Sequence, residues 1–384
     1  ENVVFENLLQ QYRGDARFVV IKWIADEKVT KYRPHLLKLL DDPKLDYHTF
    51  RAIAAAIDRL DGKPPSDHPS PQFLLDRLTA ENSSPALLQV ALREIDPTFK
   101  KLQLAHLVGL LSHENSDVQL EAIRTLARHP DAGRFKFLVQ IAEDEKQPVE
   151  HRAAAIAGLA GGPGEAIKTL LRYATSEKEV LQDEALRSLV GDKLDEDQLV
   201  EISKERENQQ SVQRLAEGKL GSRPDVHNLE AWQELLKGKG DPHAGERIFF
   251  GSKVGTCSRC HQIEGRGTAV GPDLTQIARR LESQENQKTE WLLKTILRPS
   301  EDMAPQYTPW IILTKDGETL TGLPRRKGGN AEAYLGIDGK EFTVKKPDIE
   351  FHKESDTSLM PQDLLQNLTD QEIRDLFAFL MQKR

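Results

Sequence analysis

The only two cysteines among 384 residues stand together in the run Cys257-Ser258-Arg259-Cys260-His261. Two thiols at this spacing, followed at once by an imidazole, form the attachment motif for a c-type haem. Each thiol adds to one vinyl group as a thioether, and His261 is held under the iron as proximal ligand. One tight turn then places two sulfurs on one edge of the macrocycle and the imidazole below its centre. Other chemistries fit less well. A zinc site needs about four ligands, and no second cysteine pair exists to complete one. A thioredoxin-like pair would sit on a βαβ pattern that the sequence lacks. A disulfide of this spacing closes too short a loop to stabilise much. The expectation is one covalent haem c with its iron.

A haem iron held by His261 takes a sixth ligand, and the chain offers three methionines, Met303, Met360 and Met381. Met381 falls in the last turn of the expected closing helix, where packing or solvent is its ordinary fate. Met303 follows Pro299-Ser300-Glu301-Asp302 and is placed to reach the iron. Met360 precedes Pro361, which pushes it into an extended conformation and helps aim its thioether across the haem from His261.

The elements that must position these groups lie in residues 241–384. Asp241 is a good N-cap with Pro242 at the first helical position, and the helix runs through Phe249 into the cysteine motif. Two further helices are expected over 274–281 and 289–297. Residues 306–351 then alternate as strands do, with Asp316-Gly317 and Asp338-Gly339 as hairpin turns, so a small β insertion of about four strands is expected. Thr369 and Glu372 make a capping box for a closing helix whose apolar face is Ile373, Leu376, Phe377 and Leu380.

Residues 1–220 read as helices, and 221–240 as a linker that includes a short helix over 229–236. An internal repeat is visible: Leu87, Val118, Val149 and Val180 are separated by 31 residues each, Ala91, Ala122 and Ala153 keep the step, and Ala185 comes one residue late. Leu36–Leu40, Phe135–Val139 and Ile167–Leu171 read as the second helix of such units. The stretch 61–71 breaks the array as a surface loop. His106, His113, His129 and His151 are scattered, as surface or packing residues are. The repeat resembles a HEAT solenoid over roughly 30–215, which implies an extended helical scaffold and a protein-binding surface.

The order G-x-x-x-F, C-x-x-C-H, Gly271-Pro272-Asp273-Leu274 resembles a class I cytochrome c. That resemblance implies that Gly245 touches Phe379 across the first and last helices. It also implies that the Pro272 carbonyl accepts the His261 N–H, and that Met360 is the iron ligand opposite His261. With the T-x-D-G-x-x-x-x-G strand pair, S-x-M-P and a final L-T-x-x-E-x-x-D-L helix, residues 241–383 resemble the haem-binding domain of planctomycete and verrucomicrobial proteins. In that family the domain often ends a chain that carries HEAT repeats and a sugar-dehydrogenase-like propeller; no propeller is present here. The expected fold is thus mainly α, a HEAT-like α-solenoid followed by a cytochrome c domain with a β insertion.

Composition bounds the function. With 38% hydrophobic and 30% charged residues and a net charge of −8, the chain is ordinary for a globular protein and a poor candidate for binding nucleic acid. No apolar run approaches the roughly 18 residues of a spanning helix. Haem is attached to C-x-x-C-H outside the bacterial cytoplasm, so a periplasmic or other extracytoplasmic location is expected. The start at Glu1-Asn2-Val3 then reads as a processed chain or a piece of a longer one. The leading expectation is electron transfer through a His/Met-ligated haem, with the repeats docking a redox partner such as a dehydrogenase domain or subunit. An alternative is a peroxidase or gas-sensing haem with an open distal side, for which His352, Arg279 and Arg280 are candidates. A third is a scaffold in which haem serves as a folding staple.

Overall fold

A computed structural model describes residues 15–64, 68–205, 210–251, 253–282 and 288–383. The expected loop over 61–71 lies partly, and the chain start wholly, outside them. By contacts the chain forms two compact units, residues 1–158 with 264–266, and residues 159–263 with 267–384.

The first unit is built of paired helices: α1 (Asp15–Asp26), α2 (Arg33–Leu39), α3 (Tyr47–Leu60), α4 (Pro71–Leu78), α5 (Pro85–Glu94), α6 (Leu104–Leu110), α7 (Ser116–Leu126), α8 (Arg134–Glu143) and α9 (Val149–Gly158). Starts are set locally: Asp46, Ser70, Ser84 and Asn115 each accept a backbone N–H of the first turn, and Pro71 and Pro85 follow two of them. Helix α5 packs on α7 and α7 on α9. Where they meet, Ala91, Ala122 and Ala153 are fully buried, and the small side chain is what allows the approach. The repeat holds better at these alanines than at its other anchors, because Val149 opens α9 and is 42% exposed. His129 bonds the Leu102 carbonyl and His151 meets Ser116 Oγ, while His106 and His113 accept from the nearby Gln103 and Asn115 N–H groups.

The second unit continues with α10 (Gly164–Ala174), α11 (Glu179–Ser188), α12 (Glu196–Glu205), α13 (Gln210–Glu217), α14 (Leu229–Leu235), α15 (Pro242–Phe250), α16 (Ile277–Glu282), α17 (Lys288–Leu297) and α18 (Asp370–Leu380). Asp241 caps α15 as expected. Helices α15 and α18 cross at Gly245, where a Cβ would stand 2.0 Å from the Asp375 carbonyl oxygen and 2.7 Å from the Phe379 Cβ. No side chain fits there. The rings of Phe249 and Phe379 lie 5.6 Å apart beside the crossing. Residues 221–240 are not a free tether: Trp232 is fully buried in the same helical core.

Between α17 and α18 the chain forms an antiparallel sheet of five strands, β1 (Trp310–Thr314), β2 (Thr319–Gly328), β3 (Ala331–Leu335), β4 (Glu341–Lys345) and β5 (Ile349–Glu354), in the order β4-β3-β2-β1-β5. Both Asp-Gly turns are present, with Gly317 at φ 87° and Gly339 at φ 75°. The expectation of about four strands missed β5, whose Ile-Glu-Phe-His-Lys-Glu sequence is polar and pairs back to β1. One face of the sheet contributes Leu323 and Leu335 to a small core with Val270; the other buries Ile312, Tyr334 and Val344.

The division expected at residue 220 separates kinds of element, whereas the contacts group 159–217 with the cysteine motif. A buried ion chain links them. Glu372 of α18 accepts Arg214 Nη1 at 2.6 Å and Nη2 at 2.9 Å, and Arg187 Nη1 at 3.4 Å. Glu184 in turn accepts Arg187 Nη2 at 2.8 Å and Arg247 Nε at 2.6 Å. All five residues are buried. Burial pushes both carboxyls up, but the arginine charges and their hydrogen bonds outweigh it and hold Glu184 and Glu372 below the ordinary glutamate range.

Two outcomes follow. Gly245→Ala forces α15 and α18 apart and should cost about 1–3 kcal/mol, as overpacking does, read from the urea midpoint. Glu372→Gln leaves Arg187 and Arg214 underpaired, and breaking a buried pair costs roughly 3–5 kcal/mol at neutral pH. Because the folded carboxyls titrate below the ordinary 4.5, their contribution is complete above that pH and is lost as pH falls through the folded value. The variant's midpoint should therefore vary less than the parent's on acidification below pH 4.5.

Candidate functional site

The cysteine motif begins where α15 ends. Gly251 closes the helix, and the chain turns through two left-handed residues, Gly255 at φ 76° and Thr256 at φ 52°. A Cβ on Gly255 would stand 2.4 Å from the Ile248 carbonyl oxygen, so glycine is required. Thr256, β-branched, holds a conformation that costs about 1–3 kcal/mol, and it serves as N-cap of the single 3₁₀ turn Cys257–Arg259. The N–H groups of Cys260 and His261 both donate to the Cys257 carbonyl, at 3.1 and 2.9 Å. The motif is thus one closed turn with both thiols free.

The loop after it folds back on the turn. Val270 and Gly271 both donate to the Cys260 carbonyl, at 3.0 and 2.7 Å, and Thr268 donates to Ser258 at 3.0 Å. Pro272 is delivered to the imidazole: its carbonyl oxygen lies 2.9 Å from His261 Nδ1. Gly271 lies flat against the ring, where a Cβ would stand 2.7 Å from Cε1 and 3.2 Å from Nε2. Burial lowers the His261 pKa, with the Pro272 hydrogen bond opposing it, so the ring is neutral at pH 7, with Nδ1 engaged on Pro272.

Two apolar walls meet at the motif. Cys257, Phe250, Leu274, Trp291 and Met360 are half-buried on the helical core that contains Phe249, Leu293 and Phe377. Cys260, Tyr307 and Leu359 are half-buried on the Val270–Leu323–Leu335 cluster beneath the sheet. The neighbours Leu359 and Met360 are therefore divided between the same two walls as Cys260 and Cys257. Met303 is also half-buried but packs on neither cluster. Met381 is 37% exposed at the end of α18, its sulfur 3.9 Å from Thr289 Oγ1. Of the distal candidates, His352 stacks edge-on to Trp310 at 5.0 Å with Nδ1 3.4 Å from Glu332 Oε2, and Arg279 and Arg280 are exposed.

These residues fit a covalently held haem: two unpaired thiols on one turn, a neutral imidazole oriented through Nδ1, and half-buried apolar side chains on both sides. Among the described residues, no group of three or more His, Cys, Asp or Glu side chains is arranged to hold a metal ion. Gly271 as the floor under the ring and Thr256 as the strained entry are not legible in the residues alone. Both depend on backbone geometry that residue types do not announce.

Burial pushes the Cys257 thiol up to about 12 and raises Cys260 as well. In the haem-free folded chain, a brief iodoacetamide pulse near neutral pH should therefore label Cys260 ahead of Cys257, read by peptide mass spectrometry. Faster labelling of Cys257 would contradict this placement.

Comparison with known families matches two parts of the chain. Residues 104–190, from α6 through α11, match HEAT repeats. Residues 243–316, from α15 through β1, match cytochrome c; the matched part includes the motif, Pro272 and Met303 and stops short of Met360. No curated protein sequence matches the chain. The protein thus joins HEAT repeats to a C-terminal cytochrome c domain.

Proposed function

We propose that this protein is an electron carrier. In this reading one haem is bound covalently through Cys257 and Cys260, His261 and Met360 are the axial ligands, and the helical repeats dock a redox partner of the dehydrogenase kind. A cytochrome c domain supports haem-based electron transfer, and HEAT repeats suggest a protein-interaction scaffold. The observation that carries the finer reading is the pairing of walls: Cys257 with Met360 on the helical core, Cys260 with Leu359 under the sheet.

When bound, haem supplies a one-electron couple, and the protein supplies burial, orientation and access. His261 Nδ1, hydrogen-bonded to Pro272, fixes the tautomer and ring plane, which raises the basicity of Nε2. Met360 would be the second residue to hold the iron, and its thioether would raise the potential and disfavour binding of a small molecule. The side chains of both walls exclude water from the ring edge. Because haem is attached to such motifs outside the bacterial cytoplasm, the motif favours an extracytoplasmic location for the protein in this reading. Among the described residues no helix is long and apolar enough to cross a membrane.

The test has two parts. Cys257→Ala with Cys260→Ala should leave no haem on the chain after acid–organic extraction. Met360→Ala should lower the reduction potential, abolish the methionine–ferric charge-transfer band and open the iron to carbon monoxide, while Met303→Ala does none of these. The reverse pattern moves the ligand to Met303, and ready carbon monoxide binding by the unmutated protein favours a sensor or peroxidase.

A further inference from the structure

Met360 lies in neither a helix nor a strand. What fixes its backbone is a relay of two hydroxyl groups. The Met360 N–H donates to Ser358 Oγ at 3.1 Å, and the Ser358 N–H donates to Ser300 Oγ at 3.0 Å. Ser300 stands just beyond α17, 58 residues away in sequence. The turn before it repeats the device: the Thr357 N–H donates to Ser355 Oγ at 3.1 Å, and the Ser355 N–H donates to the Pro309 carbonyl at 2.8 Å. The loop is thus pinned at two distant points, each through a serine that folds the next two residues into a turn. Pro361 follows at once and restricts the φ and ψ of Met360.

We propose that Ser358, held by Ser300, is a positioning residue that keeps the Met360 thioether on the iron. The inference rests on Met360 as the ligand, as argued above. A methionine side chain has three rotatable bonds and a soft, adaptable sulfur. It does not hold itself in place, so the fraction of molecules with sulfur on iron depends on how well the backbone is ordered. A single hydrogen bond present only in the ligated arrangement shifts such an equilibrium by about two- to tenfold. Ser300 has a second consequence. It lies three residues before Met303, so the Ser300–Ser358 bond ties together the loops that carry the two candidate methionines.

The experiment uses the full-length, haem-loaded ferric protein, with imidazole as competing ligand. Ser358→Ala should bind imidazole about two- to tenfold more tightly and lose the methionine–ferric band at lower pH. Ser300→Ala should do the same to a smaller extent. Because Ser300 acts through Ser358, the double variant should fall short of the product of the single effects. Ser358→Thr keeps the acceptor oxygen and should restore parental behaviour, which a merely structural role for the loop would not predict. Met360→Ala separates the two ideas. If it leaves the band intact, the ligand assignment fails and this inference with it. If it abolishes the band while Ser358→Ala and Ser300→Ala both bind imidazole as the parent does, the positioning role alone is overturned.

Discussion

The carboxylate of Glu372 holds the second unit together. It sits at the start of the last helix, where its own side chain closes a capping box with Thr369, and it is buried against Arg214 and Arg187. A buried charge is tolerated only when its partners are in place, so the helix can begin at one position and no other. Fixing that start fixes the seam with α15, and the seam fixes the end of α15 from which the cysteine turn departs. Arg187 and Glu184 carry the constraint on to Arg247 of α15 itself. Helices that belong by sequence to the repeats therefore serve as part of the frame of the haem-motif region. Buried ion pairs add little net stability compared with apolar packing; what they supply here is register.

Within that frame the motif needs little more than one turn. The motif's own Cys260 and His261 N–H groups converge on the Cys257 carbonyl, those of Val270 and Gly271 in the following loop on the Cys260 carbonyl, and the Pro272 carbonyl reaches the imidazole. The polar work is thus done almost wholly by the main chain, while the side chains around it are apolar. This division suits a site whose two redox states must differ little in geometry. Main-chain groups held in a closed loop do not rearrange when one charge comes or goes, and walls that are mainly hydrocarbon have few dipoles to reorient.

Much of this was legible in the residues. The thiols and imidazole announce their chemistry by spacing, the Asp-Gly pairs announce turns because few other residues tolerate φ > 0, and the buried alanines mark helix crossings. Gly245 and Phe379 could be paired from the cytochrome resemblance, although the contact spans most of the domain. What stayed hidden depends on partners rather than patterns. Arg187, Glu184 and Arg247 look like surface charges on amphipathic helices, and only the fold brings them together. Strand β5 has no clear apolar alternation, since it lies at the edge of the sheet and neither of its faces is fully buried. The grouping of 159–217 with the motif could not be read, because periodicity identifies a buried face without saying what buries it.

The seam between α15 and α18 also has a consequence in time. The Asp241 N–H donates to Asp375 across a separation of 134 residues. The sheet strands, by contrast, mostly pair with their immediate neighbours in sequence through short turns. Closing a long loop carries an entropic cost that grows with its length, and contacts of high sequence separation form slowly. The hairpins can therefore assemble while both ends of the domain are still apart, whereas the seam between α15 and α18 carries a larger closure cost. Until that seam closes, the helix from which the cysteine turn departs lacks its packing partner α18.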